Sequence, residues 1–490
     1  MTKPRAKAGR ARWRSAAALV AAVTAVLATL GAVSPIGAAP ASAIDTSGFK
    51  PGDIISDVVM YAKGAMSVSD IQAFLNAKLP VCDAGYTCLK DYHQTTSNYD
   101  VPVGGTYTQH VCLPYKGAKN ESAASIIYKV AQDCGVNPQV ILVTLQKEQA
   151  FVTNPDPTSL TYRKAMGYGC PDTAACSSDF YGFFKQVFWG ARAMARPVAN
   201  YRIGTQQIHY SPVAACGTKT VTIVDKATAN LYTYTPYTPN RASLAAIGTS
   251  TAVPCGSYGN RNFWYYFSIW FGSTNLPQTD LAYVQATYKD LLGRNASITE
   301  QDTQARYLVK HSSRSDFALR ILHTTEYRTD LIRELYLAIM GTAPSASTVT
   351  TALKAVEKGT VKQDDLVPWI LSSADFYAKV GGKQTPYIDA VYQYALGRVP
   401  SIDEEAKQRE TLLDSTRFAI ASSVWHSTEA NTREANATYL EYLGRAASPT
   451  ELATLVSYLS SHSGASGIAQ VVGKAEYLND AMLRYPIPTS

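Results

Sequence analysis

The sequence predicts a mainly α protein in two parts. A disulfide-stapled α(+β) domain comes first, and an all-α domain of four helical repeats follows. Three observations predict this. An apolar face with helical period runs through Asn137–Thr153. All eight cysteines lie between Cys82 and Cys255. Two short motifs recur together four times between Tyr288 and Tyr477. A chain of 490 residues is too long for one ordinary core. Its 46% hydrophobic and 10% aromatic content are those of folded protein. The expected parts are a signal peptide over 1–43, the cysteine-containing domain over 44–275 and the repeat domain over 276–490.

Residues 1–43 read as a secretory leader. Lys3, Arg5, Lys7, Arg10, Arg12 and Arg14 form a basic start, Ala16–Leu30 an apolar run, and Ala41-Ser42-Ala43 a small-residue cleavage pattern. Those six bases have no acidic partner in the segment, so its removal lowers the formal net charge from +7 to +1. No polybasic stripe appears elsewhere, so nucleic acid is not an expected partner. No other apolar stretch is long enough to span a bilayer. The expected location is secreted or cell-wall associated.

An even cysteine count in an exported chain reads as disulfides. Short loops suggest Cys82–Cys88 and Cys170–Cys176; Cys112–Cys134 and Cys216–Cys255 would complete the set. The chain has no CxxC, no HExxH and only scattered histidines, so neither a metal nor another cofactor is expected.

The Asn137–Thr153 segment carries the main candidate. Asn137 can cap the helix, Pro138 suits its first turn, and Asn154-Pro155 ends it. At about 100° per residue, Ile141, Thr144, Leu145, Phe151 and Val152 share a side with Glu148. A carboxylate there costs several kcal/mol to ionise unless something compensates. A proton-bearing carboxyl in a cleft suits cleavage of glycosidic bonds. The competing role is a buried Glu satisfied by backbone or tyrosine hydrogen bonds.

Around it lie Ala165-Met166-Gly167-Tyr168-Gly169-Cys170, whose small residues would let a sugar ring approach the backbone. Phe180–Met194 reads as an apolar helix. Tyr168, Tyr181, Trp189 and Tyr210 could stack on sugar faces, although core packing competes for Trp189. With 32 Tyr against 13 Phe, the chain suits a wet groove. Asn262–Phe271 is densely aromatic, and periodicity leaves helix and strand both open. Gly272–Pro277 reads as a linker.

The Glu148 stretch resembles the lysozyme-like superfamily, specifically lytic transglycosylases and goose-type lysozymes. The resemblance rests on Val136-Asn137-Pro138, Ile141-Leu142-Val143 and Lys147-Glu148-Gln149. Gln149 stands where that superfamily usually has Ser. By the same resemblance, Met166, Gly167 and Tyr168 belong to a substrate loop. Ala229–Tyr234 answers to a region opposite the acid, so Tyr232 or Tyr234 would steady the acid or the sugar's N-acetyl group. The resemblance implies a lysozyme-like fold acting on peptidoglycan glycan strands. For a second carboxylate the candidates are Asp156, Asp172 and Asp179, with no pattern to choose between them. A lytic transglycosylase needs one residue only, and that reaction fits one convincing carboxylate. The rival class is a non-catalytic wall-binding or adhesion protein.

In the second half, Tyr288–Arg294, Tyr336–Thr342, Tyr392–Arg398 and Tyr439–Arg445 carry the first motif. Thr324–Tyr327, Ser373–Phe376, Ser427–Ala430 and Lys474–Tyr477 carry the second at a nearly constant offset. Gly293 can end a helix in the left-handed region, and Ser297, Ser345, Ser401 and Ser448 can start the next. Each unit reads as a few short helices packed on its neighbours. The pattern resembles a helical repeat family of unknown function found in large exported and surface-layer-associated bacterial proteins. That resemblance implies attachment to a surface protein or wall polymer rather than a reaction.

Overall fold

A computed structural model describes residues 46–101, 103, 110–171, 174–196, 200–247 and 252–486. The expected leader and Asp172 lie outside the described residues. Helix covers 61% and strand 4%, which makes the chain mainly α. Two compact units form. The first runs from the first described residue through Leu281 and takes in Ala296–Arg306. The second comprises Ala282–Asn295 and the described chain from Tyr307 onward.

In the first unit, helix Ala123–Cys134 starts where Ser122 accepts a hydrogen bond from Ser125 N, and it stops at Gly135, whose φ is 68°. Its buried stripe packs on helix Phe183–Ala195. Helix Pro138–Gln149 begins under the Asn137 cap, as expected, and packs on helix Gly259–Phe271. The aromatic stretch left open above is therefore helical. It buries Phe263, Trp264 and Phe267. Each such ring contributes roughly 1.5–3 kcal/mol on removal from water.

The expected helix end at Thr153 is corrected: the helix stops at Gln149. Ala150 turns into the left-handed region with φ 50°. The Gln146 side chain then bonds Val152 N and Thr153 Oγ1. Phe151 and Val152 still reach the core, but from a turn.

An antiparallel hairpin pairs Gly204–His209 with Thr218–Ile223. Four disulfides staple the unit: Cys82–Cys88, Cys112–Cys134, Cys170–Cys176 and Cys216–Cys255.

The second unit explains its own motifs. Helices Thr325–Met340, Gln384–Leu396 and Thr428–Leu443 each end at a left-handed glycine: Gly341, Gly397 and Gly444. Ser345, Ser401 and Ser448 cap the helices that follow. Thr324, Ser373 and Ser427, which open the second motif, are also N-caps. Caps of this kind contribute about 1 kcal/mol each.

The arginine of the first motif grips the glutamate of the second. Arg398 holds Glu429 at 2.7 Å and Glu404 at 2.8 Å, and Arg445 holds Glu476 at 2.6 Å and Glu451 at 2.8 Å. Arg294 pairs with Glu326 at 2.6 Å. The second copy has Thr342 and Asp375 at these positions, and no such clasp forms there among the described residues.

The repeats also close on themselves. Helix Arg314–Leu322 of the first copy packs on Gly464–Val472 of the fourth. Tyr477 donates to Asp290 at 2.7 Å, and Arg484 grips the same carboxylate through two 2.9 Å bonds. An open solenoid leaves its end copies unpaired; here they pair with each other.

Candidate functional site

Glu148 occupies the last turn of helix Pro138–Gln149, where the buried stripe of Ile141, Thr144 and Leu145 reaches the surface. Its side chain is 28% exposed. Compensation for its charge comes from the adjacent residue. Lys147 Nζ lies 2.8 Å from Glu148 Oε1, and the Lys147 side chain is only 1% exposed. The ammonium also donates to Thr235 Oγ1 at 2.8 Å and sits 5.2 Å from the centre of the Tyr234 ring.

The 165–170 loop comes to this carboxyl. Gly167 has a φ of 68°, and a Cβ placed on it would lie 2.9 Å from Glu148 Oε2. Only glycine permits that approach without strain. Tyr234 Oη donates to the Met166 carbonyl, tying helix Lys226–Tyr234 to the loop. Burial, and then the charges of Glu148 and Tyr168, push the Tyr234 phenol well above its usual range. The phenol therefore stays a hydrogen-bond donor.

A cleft of about 330 Å³ opens beside the loop. Gly167, Tyr168, Cys170, Phe180, Arg196 and Tyr234 are among its lining residues. Gln186, fully buried, holds the loop from below. Its Oε1 accepts from Met166 N and Tyr168 N, and its Nε2 donates to the Tyr168 and Phe180 carbonyls. The Cys170–Cys176 bond closes the same loop.

The other sequence candidates divide. Met166 is buried and contributes its carbonyl. Trp189 is buried; it stacks under Tyr168 with ring centres 5.8 Å apart and donates to Tyr99 Oη. Its place is support for Tyr168 rather than an open platform. Tyr232 turns into the core and donates to the Pro51 carbonyl at 2.9 Å. The structure does not aim it at Glu148. Tyr210 stands at the turn end of the hairpin, bonded to Gly217 through its amide. Tyr181 faces a separate cavity of about 500 Å³. Asp156 is exposed in a loop and Asp179 in the short 3-10 helix Ser178–Phe180, and neither bonds to Glu148 among the described residues.

Lys147, Thr235 and Gln186 were not singled out from sequence. Lys147 is next to Glu148 in the chain, but a rotation of about 100° places it off the shared apolar face. Among the described residues no three His, Cys, Asp or Glu side chains gather as a metal would require.

The family model described as LasA, N-terminal domain, matches residues 54–302. No curated protein and no solved structure matches the chain. No helix among the described residues is long and apolar enough to cross a membrane.

Proposed function

Because the chain belongs to the family of LasA N-terminal domains, we propose that it is an exported protein acting on the bacterial cell wall. LasA itself is of a staphylolytic peptidase family. That match assigns no catalytic residue here, so the chemistry must be argued from this chain. Four disulfides support an oxidising, extracellular setting.

The finer reading is cleavage of peptidoglycan glycan, in the manner of a lytic transglycosylase, with Glu148 as acid and then base. The observation that carries it is the partly open carboxyl pressed against Gly167, a residue that lines the cleft. In that reaction one carboxyl protonates the leaving oxygen. It then takes the proton from the sugar's own 6-hydroxyl, which closes an anhydro ring. Lys147 orients Glu148 between turnovers. The ion pair must loosen for Glu148 to carry its proton into the first step.

That same pair favours a second reading. A carboxylate anchored on a buried lysine suits a domain that holds glycan without cutting it. The repeat domain would attach the protein to a surface protein or wall polymer in either case. Mass spectrometry of digested peptidoglycan separates the readings. Anhydro-muramic ends support the transglycosylase and reducing ends a hydrolase, whereas unchanged glycan leaves the binder.

A further inference from the structure

The cavity that Tyr181 faces has a composition of its own. Tyr92, Gln94, Tyr162, Arg163, Tyr181 and Phe183 line its volume of about 500 Å³, and no Asp or Glu does. Tyr92 and Tyr162 both line it and stack on each other with ring centres 4.1 Å apart. The Arg163 guanidinium lies 5.5 Å from the Tyr181 ring centre and pairs with no carboxylate among the described residues. Gln94 Oε1 accepts from Phe184 N, and among the described residues nothing accepts from its amide nitrogen. The walls are held in place. Tyr162 donates to the Thr87 carbonyl, Tyr181 to the Cys176 carbonyl, and Gly182 N to the Arg163 carbonyl.

An exposed guanidinium and spare amide donors over aromatic faces call for a ligand with two features. It should offer an apolar ring face for the tyrosines and a carboxylate for the bidentate fork of arginine. We infer that this cavity is a binding subsite for a carboxylate-bearing amino sugar, seated with its ring against the tyrosines of the lining and its acid group on Arg163. The inference rests on the glycan reading of the first unit and names the sugar it would grip in a strand whose lactyl carboxylates are free of peptide. Phe180 lines the first cleft and its neighbour Tyr181 lines this subsite, while Gly167 of the first cleft lies against Glu148. One glycan chain could thereby be held at two points.

The test is titration calorimetry on the whole protein with N-acetylmuramic acid and with N-acetylglucosamine, which lacks the lactyl carboxylate. The wild type is expected to bind the acid sugar roughly tenfold more tightly, the size of one charge-assisted contact. Arg163→Gln should erase that preference while keeping the neutral sugar's affinity. Glu148→Gln should keep the preference, so failure of the cleavage reading leaves this result standing. Equal binding of both sugars by the wild type would overturn the subsite. So would an unchanged preference in Arg163→Gln. Equal competition by D-alanyl-D-alanine would overturn it as well, because the site would then read a peptide carboxylate. Circular dichroism of each variant guards against loss of fold.

Discussion

The two units use the same chemistry, a basic side chain against a carboxylate, under opposite conditions. In the second unit Arg398 and Arg445 clasp pairs of glutamates in water. In the first, Lys147 is sealed from solvent and meets a Glu148 that is partly open to it. Exposed pairs contribute little, because water already solvates both charges and salt screens them. A sealed ammonium depends on its partner, since removing that partner strands a charge in a dry site. The clasps thus fix the angle between motifs, whereas the Lys147–Glu148 pair couples local stability to the one carboxyl proposed for chemistry.

The largest expected effect comes from breaking the sealed pair. Glu148→Gln should cost about 2–3 kcal/mol, below the full penalty of a buried pair because Glu148 is 28% exposed. Adding Lys147→Met should return most of that loss. Urea melts of the four species close the cycle; if the losses simply add, the two side chains do not depend on each other.

A middle-sized effect concerns a half-buried acid, Asp225, that forms no ion pair among the described residues. Asp225 caps helix Lys226–Tyr234 through Thr228 N. Burial, and then the nearby Asp57 and Asp53 charges, raise its carboxyl to about 7 against the Thr228 hydrogen bonds. A raised acid binds its proton more tightly in the folded state. Its contribution to stability is complete below about pH 4 and is lost as pH rises through about 7. Asp225→Asn keeps the cap and removes the titration. The variant should flatten the decline between pH 4 and 7 and melt above wild type at pH 8. An unchanged pH profile would show that Asp225 ionises freely.

The smallest effect belongs to the clasps. Arg398→Ala should leave the melting midpoint almost unmoved, and high salt should shrink even that difference. A large loss would mean that the arginines hold the repeats together, and the contrast between the units would fail.

Much of this was legible in the sequence, for unequal reasons. The repeat was visible because four copies vote on each position. Its two motifs were not visibly partners, since pairing Arg398 with Glu429 depends on side-chain direction across a turn. Glu148 stood out because helical period alone places it beside Ile141 and Leu145. The early end of that helix did not, because Ala150 takes a left-handed turn without the usual Gly or Asn. Tyr232 and Tyr234 could not be separated from sequence. Two positions on a helix differ by about 200°, so one points to the core and the other to the loop. The densely aromatic Asn262–Phe271 carried no period from which to read helix or strand.

The central claim is that Glu148 performs the wall chemistry, and muropeptide analysis tests it most directly. Purified walls are incubated with wild type and with Glu148→Gln under conditions where both are folded. The account predicts anhydro-muramic products from the wild type and none from the variant. Equal product from both, or none from either, would contradict it.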